Sequence, residues 1–103
     1  PMMILCPIHG LASALACSPD VHPLTDGASQ TGEIVDLIYT IDGQAAWAYY
    51  LSPRFAQEHG LSAGVYHDQE PGPWHRDLLC ACAICFSKAH NGYLDEGHRW
   101  HSH

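Results

Sequence analysis

Three cysteines within six residues, Cys80, Cys82 and Cys85, constrain this chain more than any other stretch of its sequence. Thiols at this density require a partner group, although an alternative in which they serve only as small buried residues stays open. The chain has five cysteines, and an odd number excludes a complete internal disulfide framework. Metal binding in a reducing compartment is the simpler interpretation, and a cytoplasmic location follows from it as an expectation.

A second short motif lies near the start of the chain. Cys6 and His9 are separated by two residues and followed by Gly10, so a tight turn directs a thiolate and an imidazole at the same point. Zinc prefers four nitrogen and sulfur ligands in a tetrahedron, commonly from two short pairs that the fold brings together. We therefore predict zinc as the cofactor, bound by Cys6, His9, Cys82 and Cys85. Cys80 is a rival to Cys82 as a ligand.

Length and charge limit the remaining possibilities. A chain of 103 residues forms one small domain, which we assign to residues 1–93, followed by a His-rich tail over residues 94–103. Eleven acidic and four basic residues give a formal charge of −7, which disfavours a sequence-independent grip on the phosphate backbone of nucleic acids. The sequence has no apolar run long enough to span a membrane, so no membrane association is expected.

The first half of the chain favours strands. Residues 2–5 predict a short strand, and residues 11–17 fit either a strand or a helical turn. Residues 18–32 contain prolines, glycines and small polar side chains and predict a surface loop. Residues 33–41 and 44–51 flank Asp42-Gly43, which is typical of a tight β-hairpin. Alternation places Trp47 and Tyr49 on one face and Tyr50 on the other, where we interpret them as core and cross-strand pairs.

The second half predicts two helices. Ser52 and Pro53 have the form of a helix cap followed by proline at the first helical position, and Gly60 provides a stop. A short strand is predicted over residues 65–68. From Trp74 onward, apolar residues recur at steps of three and four and predict a helix that ends before Gly92, with Cys82 and Cys85 on one helical face.

The predicted order is a knuckle with two ligands, a hairpin, and a helix with the other two ligands. This order resembles the treble-clef arrangement of zinc fingers, with Cys6 and His9 as the knuckle pair and Cys82 and Cys85 as the helix pair. The resemblance implies a small, zinc-stabilised α+β domain that is treble-clef-like, with a central β-hairpin and a C-terminal helix.

The segment from Tyr66 to Cys80 carries a second resemblance. Its His67-Asp68 pair, its Pro-Gly turn and its Arg-Asp-Leu-Leu-Cys step resemble the endonuclease VII branch of the HNH nucleases. The resemblance implies that His67 is a general base and Asp68 a metal-site residue of a metal-dependent nuclease. Gln69 and Phe86 stand where that family carries a histidine and an asparagine, so the similarity favours an inherited zinc scaffold over an intact active site.

These observations favour a binding module over an enzyme. The acidic charge indicates a protein partner with a basic face, such as the nucleic-acid site of a DNA- or RNA-handling protein. We expect this chain to regulate or inhibit such a partner, with carboxylates that mimic phosphates. Direct nucleic-acid binding ranks below this hypothesis because the sequence has only four basic residues. The alternative function is a metal-dependent HNH-like nuclease with His67 as general base.

Overall fold

The chain forms a mixed sheet of six strands with two short helices, and a computed structural model describes residues 3–23 and 33–90. The predicted α+β class, with its central hairpin and C-terminal helix, is confirmed. None of the helices in these two ranges is long and apolar enough to cross a membrane. The bounds are β1 Met3–Cys6, β2 Gly10–Cys17, β3 Val35–Ile41, β4 Gln44–Leu51, α1 Pro53–Glu58, β5 Gly64–His67, β6 Leu79–Cys82 and α2 Ala83–Ala89, with 3-10 helices at Pro19–Val21 and Pro73–Asp77.

Strand β2 joins the two ends of the domain. Its first half pairs antiparallel with β1, its second half pairs antiparallel with β6, and its last two residues pair in parallel with β4. The sheet continues from β4 to β3 and then to β5. Since β1 and β6 lie against the same strand, the turn that follows β1 and the helix that follows β6 are brought together.

The hairpin of β3 and β4 forms as predicted. Asp42 and Gly43 have φ angles of 52° and 79°, the left-handed values that a two-residue hairpin turn requires. The pairing register shifts between Tyr39 and Thr40, a bulge that accommodates one extra residue in β4. Beyond the bulge, Tyr49 and Tyr50 point to opposite faces and enter different parts of the core, as the alternation predicts.

The two faces of the sheet carry separate hydrophobic clusters. On one face, α1 and the second 3-10 helix cover an aromatic cluster that consists of Tyr39, Tyr49, Tyr66 and Trp74. On the other face, Tyr50 packs against Phe86 of α2 with ring centroids 5.9 Å apart. A third, smaller cluster surrounds the cysteines between β1 and α2. The helices are too short to be stable alone and depend on this packing.

A buried polar network holds the first 3-10 helix against α1. The Ser52 hydroxyl accepts a hydrogen bond from the backbone N–H of Phe55 at 3.0 Å, which is the predicted helix cap. The same hydroxyl donates to Asp20 Oδ2 at 2.6 Å, and the Ser52 backbone N–H donates to Ser18 Oγ at 2.8 Å. Helix α1 then begins at Pro53, as predicted.

Two predictions from the sequence differ from the structure. The continuous helix from Trp74 is wrong, because Leu79–Cys82 forms strand β6 and pairs with the open edge of β2, and α2 begins only at Ala83. The predicted surface loop over residues 18–32 begins with buried residues, since both Ser18 and Val21 are fully buried. Residues 24–32, the end of the predicted helix near Gly92 and the His-rich tail lie outside the described residues.

Candidate metal centre

Four side chains from opposite ends of the sequence meet at one point. Cys6 ends β1, His9 lies in the turn before β2, Cys82 is both the last residue of β6 and the cap of α2, and Cys85 lies in the first turn of α2. One ligand atom from each residue lies within 4.8 Å of all the others. These are the four residues that the sequence predicts as metal ligands, and they are close enough to hold a metal ion.

The turn that carries the first pair is a sharp knuckle. Gly10 has a φ of 71°, a left-handed conformation that favours glycine and reverses the chain into β2. The Ile8 backbone N–H donates a hydrogen bond to Cys6 Sγ at 3.4 Å, so the backbone of the turn stabilises negative charge on that sulfur. Proline at position 7 restricts the same turn.

The second pair sits where a strand becomes a helix. Cys82 keeps an extended backbone (φ −65°, ψ 126°) and occupies the N-cap position of α2 without a side-chain cap hydrogen bond, while Cys85 is already helical. The prediction that both lie on one helical face is therefore wrong in detail. Their sulfurs still converge, because a cap residue and a residue in the first helical turn point to the same end of the helix.

The distances fit a tetrahedron around a small ion. With bonds of about 2.3 Å to sulfur and 2.0–2.1 Å to nitrogen, a regular tetrahedral site places two sulfurs about 3.8 Å apart and a sulfur and a nitrogen about 3.6 Å apart. Cys6 Sγ and Cys85 Sγ are 3.6 Å apart. The Nδ1 atom of His9 lies 3.6, 3.7 and 3.5 Å from the sulfurs of Cys6, Cys82 and Cys85. Four of the six distances between ligand atoms therefore match the edges of a tetrahedral site, and all six are at most 4.8 Å.

A disulfide does not explain the cluster. The two closest sulfurs, those of Cys6 and Cys85, are separated by 3.6 Å, whereas a disulfide bond is about 2.05 Å long. All five cysteines are free of disulfide bonds. The cluster therefore consists of three free cysteines and one histidine.

The two facing thiols have very different acidities in the absence of metal. Hydrogen bonds from the backbone of His9 and then of Ile8 lower the pKa of Cys6 to about 6. Burial, and after it the neighbouring sulfurs of Cys6 and Cys82, raise the pKa of Cys85 to about 12. The cluster thus places a ready thiolate beside a thiol whose proton a metal ion must displace.

The site is closed by protein. The three cysteines are 4–8% exposed, and Ala12 and Ile4 pack against them. A metal bound by all four residues would have a complete tetrahedral coordination shell, with no position left for water or substrate. Such closure is typical of a metal that holds a fold together.

No significant match to this chain is found among protein-family models, curated proteins or solved structures.

Cys80, the rival ligand, lies outside the four-residue group. It is exposed on β6, opposite Ala16 of β2, and its carbonyl oxygen accepts a hydrogen bond from His22 Nε2 at 2.9 Å. Although the helix starts later than predicted, Cys82 stays in the four-residue group, because it lies at the junction where β6 ends and α2 begins. Cys17 is fully buried, and burial raises the pKa of its thiol to about 12, as expected for a core residue.

His67 and Asp68 lie at the end of β5, beside the hairpin turn. His67 Nδ1 and Thr40 Oγ1 form a hydrogen bond of 2.8 Å. Asp68 Oδ1 accepts the backbone N–H of Asp42 at 3.0 Å, so its carboxylate supports the turn. Within residues 3–23 and 33–90, neither residue belongs to a group of three or more potential metal ligands. No sequence spacing indicated Thr40 as a partner of His67, because the contact arises from the pairing of β3 with β5.

Proposed function

We propose that Cys6, His9, Cys82 and Cys85 hold a structural Zn²⁺ ion. Three sulfurs and one imidazole form a donor set that suits zinc and disfavours Mg²⁺ and Ca²⁺, which take oxygen ligands. The tetrahedral distances and the burial of the cysteines support the same assignment. The order of knuckle, hairpin and helix supports a treble-clef arrangement.

On this basis we propose that the protein is a zinc-stabilised module that binds a protein partner with a basic face. The closed four-residue centre carries this proposal, because a metal with a full set of protein ligands organises a surface and activates no substrate. The formal charge of −7 determines the kind of partner, since an acidic surface attracts and orients a basic one. A regulator or inhibitor of a nucleic-acid-handling protein fits this charge, with carboxylates in the place of phosphates.

A labelled nona-arginine peptide tests the charge-based recognition. We expect saturable binding by fluorescence anisotropy, and we expect the affinity to fall when the salt concentration rises, because surface charges are screened. The protein should also displace the same peptide from duplex DNA. A nona-glutamate peptide serves as the control and should not bind. Absence of binding, or an affinity that does not change with salt, contradicts the proposed function.

The second candidate is a metal-dependent nuclease, supported by one observation. The hydrogen bond between Thr40 Oγ1 and His67 Nδ1 fixes an exposed imidazole, as a general base requires. Against it, the Asp68 carboxylate is engaged by the Asp42 backbone and the chain is acidic. Incubation of plasmid DNA with the protein and Mg²⁺, Mn²⁺ or Zn²⁺, beside a His67→Ala variant, separates the two functions. Cleavage that the variant loses establishes the nuclease and defeats the binding module.

A further inference from the structure

A small pocket opens on the face of the sheet that carries the aromatic cluster. It has a volume of about 240 Å³ and is lined by five residues from three segments. Trp47 and Tyr49 come from β4, two positions apart and therefore on the same face. Glu70 and Pro71 come from the segment after β5, and His75 comes from the second 3-10 helix.

The base of the pocket is held by aromatic packing. The Tyr49 ring meets Trp74 edge-on with centroids 5.3 Å apart, and it meets Tyr39 edge-on at 5.8 Å. These contacts bury Tyr49, which is 7% exposed, whereas Trp47 at the rim keeps 41% of its surface exposed. The pocket therefore combines a partly exposed indole with a rigidly packed tyrosine.

The opposite wall is also fixed. A Cβ atom added at Gly72 would lie 3.0 Å from the Trp74 ring, so the absence of a side chain lets this segment approach the aromatic cluster closely. The carbonyl oxygen of Gly72 accepts hydrogen bonds from both Nδ1 and the backbone N–H of His75, at 2.6 and 3.2 Å. Because a carbonyl only accepts, Nδ1 of His75 is the donor in this hydrogen bond.

The lining favours a cation. An indole ring attracts cations to its face through its quadrupole, and the Glu70 carboxylate adds a negative charge to the lining. A guanidinium group also stacks flat on an indole and donates in a fork to a carboxylate. The pocket is smaller than the roughly 300–1,000 Å³ of sites for drug-sized ligands, so it fits one side chain better than a nucleotide.

We propose that this pocket binds an arginine side chain of the partner, stacked on Trp47 and paired with Glu70. The inference rests on the proposed function, because it names the chemical group by which a basic face is recognised. The charge of the whole chain provides general attraction, and the pocket provides a specific position for one cation.

N-acetylarginine amide is the probe, and N-acetylcitrulline amide is its uncharged isostere. We expect the arginine probe to shift the backbone amide NMR signals of Tyr49 and Glu70, with half-saturation in the millimolar range. The citrulline probe, Trp47→Leu and Glu70→Gln should each weaken binding about two- to fivefold, which corresponds to an exposed cation–π contact or charge pair. Trp47→Phe, which keeps an aromatic face, should retain most of the binding.

Glu58→Gln is the matched control, because it removes the same charge from helix α1 outside the pocket. It should leave the affinity for the arginine probe unchanged. Three results would overturn the proposed arginine pocket. They are an equal loss of affinity in the Glu58 and Glu70 variants, equal affinity for the citrulline and arginine probes, and no shift of the NMR signals. None of these results affects the salt-dependent binding of nona-arginine, so failure of the pocket is distinguishable from failure of the proposed function.

Discussion

The sulfur of Cys6 lies 3.6 Å from the sulfur of Cys85, although 79 positions separate the two residues in sequence. The intervening chain is a long loop whose ends meet at the metal centre. Closure of a long loop restricts the unfolded chain, and a metal that joins the ends stabilises the folded state. A metal bound by these four residues would therefore hold β1, β2 and α2 to one another.

Metal content is the first prediction. The purified protein should contain one zinc ion per chain by elemental analysis and native mass spectrometry. Cys6→Ser and Cys85→Ser should each reduce this content well below one, because loss of one ligand opens a closed tetrahedral site. Cys80→Ser is the control and should retain zinc, since Cys80 lies outside the four-residue group. Full zinc content in the variants of Cys6 and Cys85 would refute the assignment.

Removal of the metal should destabilise the fold. Structural zinc contributes an apparent binding free energy of about 10–16 kcal/mol in small domains, whereas whole domains are stable by only about 5–15 kcal/mol. With EDTA, we expect the midpoint of thermal unfolding to fall by more than about 10 °C in differential scanning calorimetry. Zn²⁺ should restore it and Mg²⁺ should not, because thiolates bind the softer ion. An unchanged midpoint would show that the metal is not structural.

Zinc affinity should rise with pH in a way that separates the two thiols. The pKa of Cys6 is lowered to about 6 and that of Cys85 is raised to about 12, so between pH 6.5 and 8.5 Cys6 is already a thiolate and zinc must displace the proton of Cys85. This proton contributes about a tenfold gain in affinity per pH unit. As the pH falls through 6, Cys6 also becomes protonated and the loss of affinity steepens.

Competition with a chromophoric chelator at several pH values measures this dependence. Cys85→Ser should show a slope smaller by about one proton between pH 6.5 and 8.5. Cys6→Ser should bind more weakly but keep the slope in that range. Identical slopes for the two variants would contradict the assigned acidities.

The Ser52 network should contribute measurably to stability. Ser52→Ala removes the cap on the Phe55 N–H and the hydrogen bond to Asp20 Oδ2 from a side chain that is 3% exposed. We expect the free energy of unfolding, measured by urea titration, to fall by about 2 kcal/mol. The loss comes from the missing helix cap and from the hydrogen bond that Asp20 no longer receives. Ser13→Ala, at an exposed position of β2, should change it by less than about 0.5 kcal/mol. Comparable effects of the two substitutions would argue against the network.

Asp68 should act through its shape more than through its charge. It has a left-handed φ of 54°, and its Oδ1 accepts the Asp42 N–H. Asparagine keeps both features, so Asp68→Asn should retain stability within about 0.5 kcal/mol. Asp68→Ala loses the acceptor and tolerates the conformation poorly, and should cost about 1–2 kcal/mol in urea unfolding. A large loss in Asp68→Asn would instead indicate a role for the charge.

Local signals in the sequence predicted the elements whose causes are local. Asp42-Gly43 supplies the left-handed turn of the hairpin, and Ser52-Pro53 supplies the cap and first residue of α1, as the structure has them. The spacing of Cys6 and His9, and of Cys82 and Cys85, similarly depends on turns of a few residues. These features are readable because the interacting groups are neighbours in sequence.

Strand β6 shows where such reasoning fails. The apolar residues after Trp74 recur with a helical period, yet Leu79–Cys82 pairs with Ala14–Cys17 because β2 has an edge whose backbone groups need partners. The spacing of apolar residues indicates which residues become buried, but a helix could bury Ala81 and Cys82 as well as the observed strand does. The choice depended on a strand more than sixty positions away.

The sequence by itself determined the turns, the helix cap and the close spacing of Cys6 with His9, since each follows from the chemistry of adjacent residues. Only the tertiary structure decided that Cys82 rather than Cys80 joins the cluster, that His67 meets Thr40, and that Trp47 borders a pocket with Glu70. These relationships depend on strand pairing and on where β6 ends. The physical reason is that backbone hydrogen bonds between distant segments set the register, and the register determines which side chains meet.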